Sequence, residues 1–126
     1  MPQNLTDNSS GPAWNQADLL ERVDHDEELL QELFSIFRAD FPKTLQSLEA
    51  AIASADLKAT ARLSHTLKGM LSNMGGMQAS GAASRLEKLA AAGESSETLQ
   101  SALGALRTEA SRLNAELDAY AAEIRG

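Results

Sequence analysis

With 126 residues the chain is long enough for one domain with a single core and too short for two. Eighteen acidic against eleven basic residues give a net charge of −7 and a pI near 4.7, which argues against nucleic acid as a general partner. The absence of cysteine excludes a disulfide framework, a thiolate metal site and a cysteine nucleophile.

Residues 1–12 are polar and carry no apolar period, so they read as a flexible tail or linker, with residues 13–126 as the folded domain. Trp14, Leu19, Leu20 and Val23 predict a short helix lying across one end of a bundle, with Trp14 sealing the core. Asp24 or Asp26 is the expected N-cap of the next helix, whose first acids complement the positive end of its dipole. Leu30, Phe34, Phe37, Phe41, Leu45, Leu48, Ile52 and Ala55 then recur at spacings of three and four, a sustained core stripe. Pro42 interrupts it, and the lost backbone donor predicts a kink or brief break near residues 40–42. His25 has no apolar context and no second histidine at a metal-binding spacing, and is read as a bystander.

Asp56 is the expected cap of a helix of about five turns that Gly75-Gly76 closes. At about 100° per residue, Leu63, Met70, Leu71 and Met74 fall within about 60° of Leu67 and form its buried stripe. His65 lies about 160° away, close to Lys58, Arg62, Gly69 and Ser72, with Lys68 at the edge of that face. The histidine therefore points at water. Gly69 costs roughly 1 kcal/mol relative to alanine inside a helix, which suggests that something approaches the backbone there. Between Leu57 and Met74 the helix carries Lys58, Arg62 and Lys68 and no acid. An exposed imidazole among cations, beside a side-chain gap, suits a nucleophile for an anionic group, and phosphoryl is the natural candidate.

The following helix should run from about Met77 to Ala92, with Gly93 as its stop, and its small residues Ala79 to Ser84 predict close packing against the His65 helix. Ser95 or Ser96 caps the last helix, in which Leu99, Leu103, Leu106, Ala110, Leu113, Leu117, Tyr120 and Ile124 repeat at four and three. No strand alternation, phosphate loop, His-Glu-x-x-His helix or nucleophile elbow is present. No run reaches the roughly 20 apolar residues that span a bilayer, and the N-terminus lacks a secretory signal pattern, so a cytoplasmic chain without membrane contact is expected.

The run His65-Thr66-Leu67-Lys68-Gly69, followed by Gly75 and by Leu86-Glu87, resembles the histidine-containing phosphotransfer (HPt) family, the intermediates of multistep two-component phosphorelays. The resemblance extends from about Asp18 to the C-terminus. It implies His65 as phosphoacceptor, Lys68 as the cation supporting the phosphoryl oxygens, and Gly69 as the space left for a partner. Arg62 and Ser72 would extend the binding face. Glu87 falls where some members have a glutamine, which implies a polar supporting role. Met70 and Leu71 stand where many members carry small residues, and are read as core variation.

Elements and resemblance together predict an all-α, up-down four-helix bundle with a short extra N-terminal helix. The implied function is that of a monomeric phosphoryl carrier, not an enzyme. It takes phosphoryl from a receiver-domain aspartyl phosphate and passes it to another receiver, either as a free protein or as a module of a hybrid histidine kinase. Mg²⁺ would come from the receiver, leaving this chain without a cofactor or metal of its own. The imidazole must be neutral to attack, and the cations favour the dianionic product. Two alternatives stand: the phosphoacceptor domain of a chemotaxis-type histidine kinase, and a structural helical interaction module in which His65 is incidental. A dimerising kinase bundle fits less well, since Thr66 replaces the acid that follows the histidine there.

Overall fold

Capping side chains divide the chain into its helices. Asn15 accepts from the Asp18 amide, Asp26 from that of Leu29, Asp56 from that of Ala59 and Ser95 from that of Thr98, at 3.0 to 3.2 Å. Each satisfies one of the donors that the first turn of a helix leaves without a partner. In the computed structural model, which describes the backbone of residues 14–125 and the side chains of 14–123, five helices result. They are α1 (Gln16–Arg22), α2 (Glu27–Ala53), α3 (Leu57–Asn73), α4 (Met77–Ala91) and α5 (Ser96–Arg125), and no strand occurs among the described residues. The tail read at residues 1–12, Ala13 and the side chain of Ile124 lie outside the described residues.

The connections after α2, α3 and α4 span only residues 54–56, 74–76 and 92–95, so consecutive helices are neighbours. α3 packs on α2 and most extensively on α4, while α5 lies against α4 and returns to α2. The four long helices thus enclose one core. Phe34, Leu48, Ile52, Leu67, Leu71, Leu86, Leu103, Leu106 and Leu113 are buried at its centre, each worth about 1.5–3 kcal/mol relative to exposure. Ala79 and Ala83 are fully buried on α4, consistent with the close approach that its small residues predict. No helix among the described residues is long and apolar enough to cross a membrane.

α1 lies where α3 gives way to α4. The Asn15 amide donates to the Gly75 carbonyl at 2.8 Å, and Arg22 Nη1 to the Ser72 carbonyl at 3.3 Å. Trp14 is buried edge-on against Phe34 and Tyr120, as its core-sealing reading requires. Gly75 has φ of +77°, and a Cβ there would stand 2.9 Å from the Asn15 carbonyl oxygen. Both the turn and the approach of the N-terminal segment therefore require glycine.

Two expectations change. α2 runs helical through Pro42 without the expected break. The proline is exposed, whereas Phe37, Phe41 and Leu48 on either side of it are buried in one stripe, with the Phe37 and Phe41 rings stacked at 5.1 Å. Holding that stripe in register outweighs a local penalty of about 3 kcal/mol. Ala55 leaves the stripe and sits exposed in the α2–α3 turn with φ of +58°. The end of α4 is as expected, with Ala92 as its C-cap and Gly93 following at φ of +74°.

Candidate functional site

α3 has a strongly two-sided surface. Leu67 and Leu71 are fully buried, and so are Thr60 and Ser64, whereas Lys58, Arg62, His65 and Gly69 are exposed. Thr60 tolerates burial because its hydroxyl donates to the Asp56 carbonyl at 2.8 Å. The His65 side chain is 65% exposed, which leaves most of the ring available to a partner.

One ring nitrogen is nevertheless engaged. His65 Nδ1 lies 3.2 Å from Glu87 Oε2, and Lys68 Nζ lies 3.3 Å from Glu87 Oε1. Glu87 projects from the C-terminal half of α4 and so joins a histidine and a lysine one turn apart on α3. Partial burial pushes the Glu87 carboxyl up, but hydrogen bonds from His65 and Lys68 and the charges of both outweigh it, so that it titrates below its usual 4.5. Near neutral pH it is a carboxylate, which can only accept. His65 Nδ1 must then carry the proton, and the neutral ring presents the lone pair of Nε2 to solvent.

A second set of contacts holds the two helices in register below this surface. Ser80 Oγ donates to the Lys68 carbonyl at 3.2 Å, and Ser72 Oγ lies 2.7 Å from Ser80 Oγ. With the Ser80 proton committed, Ser72 is the donor of that pair. Ser72 therefore faces the α3–α4 seam and is half-buried, a correction to its placement on the open face beside His65. Its wheel position is only about 20° from that of His65, but Ser72 lies near the end of α3, where the first turn of α4 runs alongside and Ser80 covers it. Arg62 remains exposed and makes no ion pair with the His65–Glu87–Lys68 group. At Gly69 an added Cβ would meet nothing within 4 Å, so the gap in the helix surface opens to solvent. Ser80 escaped the sequence reading, which saw only a small residue there.

The Hpt domain family model matches residues 32–123. The chain belongs to the Hpt domain family. The match runs from α2 to the end of the described side chains and includes His65, Lys68, Gly69, Ser80 and Glu87, leaving Trp14 and α1 outside it. The chain has no significant match among curated proteins or among solved structures. Membership places this Hpt domain in two-component phosphorelays, where such domains carry phosphoryl groups and meet receiver domains.

The ionised Glu87 gives this Hpt domain a testable pH dependence. A carboxyl held below its ordinary value contributes stability above that value and loses it as pH falls through the folded one. Glu87→Gln retains the shape and removes the charge. The wild type should melt above the variant at neutral pH, and the gap should close as the pH is lowered from 5 to about 3. A gap that persists to the acid end would mean that the carboxylate charge is not what Glu87 contributes.

Proposed function

We propose that His65 accepts a phosphoryl group from the aspartyl phosphate of a receiver domain and hands it to a second receiver in a multistep phosphorelay. The observation that carries this reading is the exposed His65 ring whose Nδ1 rests on Glu87 while Lys68 stands beside it. In the transfer, the Nε2 lone pair attacks phosphorus and the N–P bond forms as the P–O bond to the aspartyl carboxylate breaks. The carboxylate leaves with that electron pair. The Nδ1 proton stays in place, so the phosphorylated ring is positive and the Glu87 carboxylate stabilises it. Lys68 compensates the phosphoryl oxygens, and the open surface at Gly69 leaves room for the receiver's approach. In the second step the incoming aspartate attacks phosphorus and Nε2 departs, regenerating the neutral ring. Both linkages are high-energy, so the partners decide the direction.

On this reading the domain is a monomeric phosphoryl carrier and works in the cytoplasm, either free or as part of a hybrid histidine kinase. The test is incubation with each acetyl-phosphate-charged receiver of the source organism. Acid-labile, base-stable label should move to the domain from at least one of them. Lys68→Ala should slow that transfer by roughly 10- to 100-fold, the loss of about 1.4 to 2.8 kcal/mol of transition-state stabilisation. Lys68→Arg should be partly active. Failure of every receiver to transfer label would overturn the reading.

A further inference from the structure

Charge is distributed very unevenly over the bundle. Residues 57–91, which form α3, α4 and their connection, hold five of the eleven basic residues and one of the eighteen acids, leaving them at +4 while the remainder of the chain stands at −11. Ion pairing follows the same division. Outside α3 and α4, Arg22, Arg38, Arg107 and Arg112 are paired with Asp18, Asp118, Glu49 and Glu109. On α3 and α4, Lys58, Arg62, Arg85 and Lys88 are exposed and carry no ion pair among the described residues, and Lys43 is the single further case elsewhere. The one acid of the segment, Glu87, is already occupied by Lys68 and His65.

Position on each helix decides which of these charges share a face with His65. Lys58 and Arg62 lie within about 60° of it around α3. On α4, Glu87 marks the side against α3, and Lys88 lies next to it on the outward side, about 100° further round. Arg85 lies beyond Lys88, with which it lines one groove, and reaches a second against α5 with Glu97 and Thr98. Lys58 and Arg62 are thus left beside the imidazole, and Lys88 on the outward side of the neighbouring helix, as uncompensated positive charges on an acidic protein.

We propose that this α3–α4 face is an electrostatic docking surface that selects receivers presenting acidic side chains around their phosphorylation site. The proposal rests on the receiver reading above and adds the chemistry of the partner surface. Opposed net charge on the rest of the bundle would orient the approach: an acidic partner is repelled by α2 and α5 and drawn to the one positive face. Such steering acts on the rate of encounter and is screened by salt.

The experiment is phosphoryl transfer from charged receivers at limiting receiver concentration, in about 20 mM and about 0.5 M salt. It compares wild type, the double variant Lys58→Glu/Lys88→Glu and the control Lys43→Glu. Both docking lysines are exposed and unpaired, so the variant should fold, which circular dichroism checks. The double variant should transfer about tenfold more slowly at low salt and approach wild type at high salt, with Lys43→Glu close to wild type throughout. Wild-type transfer that ignores salt, together with an unimpaired double variant, would overturn the charge proposal and leave the receiver reading standing. An equal loss in Lys43→Glu would also overturn it, because net charge and not this face would then be responsible. Absence of transfer to wild type from every receiver would remove the receiver reading and the proposal with it.

Discussion

His65→Gln should leave the bundle folded and take up no phosphoryl group from any charged receiver. The fold half of this expectation follows from exposure: the side chain stands 65% in solvent and its polar contact is to Glu87, itself on the surface. A substitution of this kind typically shifts stability by no more than about 0.5 kcal/mol, so the melting temperature should move by only about 3 °C. The loss of uptake follows from chemistry, since an amide nitrogen has no lone pair available for attack on phosphorus, and the second histidine of the chain, His25, lies in the α1–α2 turn. His25 supplies the control. It is exposed in the turn between α1 and α2, with φ of +59°. His25→Gln should accept label as wild type does. Acid-labile uptake by His65→Gln would show that the phosphoacceptor lies elsewhere.

Gly69→Gln should raise the melting temperature and still transfer poorly, two effects of opposite sign from one side chain. The stabilising part is local, because glycine inside a helix costs up to roughly 1 kcal/mol relative to good helix formers. Nothing stands within 4 Å of the Cβ that would be added, so the first atom of the new side chain enters open space. The functional part comes from position. Residue 69 is one turn beyond His65 on the same face, and a glutamine there would stand beside the imidazole in the path of an incoming aspartyl phosphate. A stabilised variant with wild-type transfer would mean that the gap plays no part in docking.

The faces of α3 were legible from period alone, because Leu67, Leu71 and Met74 mark one side and His65, Lys58 and Arg62 the other. Thr60 and Ser64 lie about 20° and 60° from Leu67 on the same wheel. Their polar identity obscured a burial that their angle implied, and Ser64 Oγ sits inside without a hydrogen-bond partner. The site itself was only half legible. His65, Lys68 and Gly69 are neighbours in sequence, but Glu87 lies 22 residues away and its place beside His65 depends on the register of α4 against α3. Periodicity within one helix carries no information about that register; family resemblance pointed to Glu87 where the wheel could not. Ser72 was misplaced for the same reason, since nothing in α3 says which flank α4 covers. At Pro42 a local rule lost to packing, because Phe41 and Leu48 can join one buried stripe only if α2 continues. The α2–α5 ion pairs Arg38–Asp118 and Arg107–Glu49 were likewise invisible from either helix alone. Being exposed, they add little to stability.

On the proposed mechanism, Glu87 holds the Nδ1 proton of His65 and leaves Nε2 as the nucleophile. Heteronuclear phosphorus–proton NMR of the domain charged by a receiver tests it most directly, because the two phosphohistidine isomers couple phosphorus to different ring protons. A single phosphoryl group on Nε2 of His65 is the expected outcome. Phosphoryl on Nδ1, or on any other residue, would contradict it.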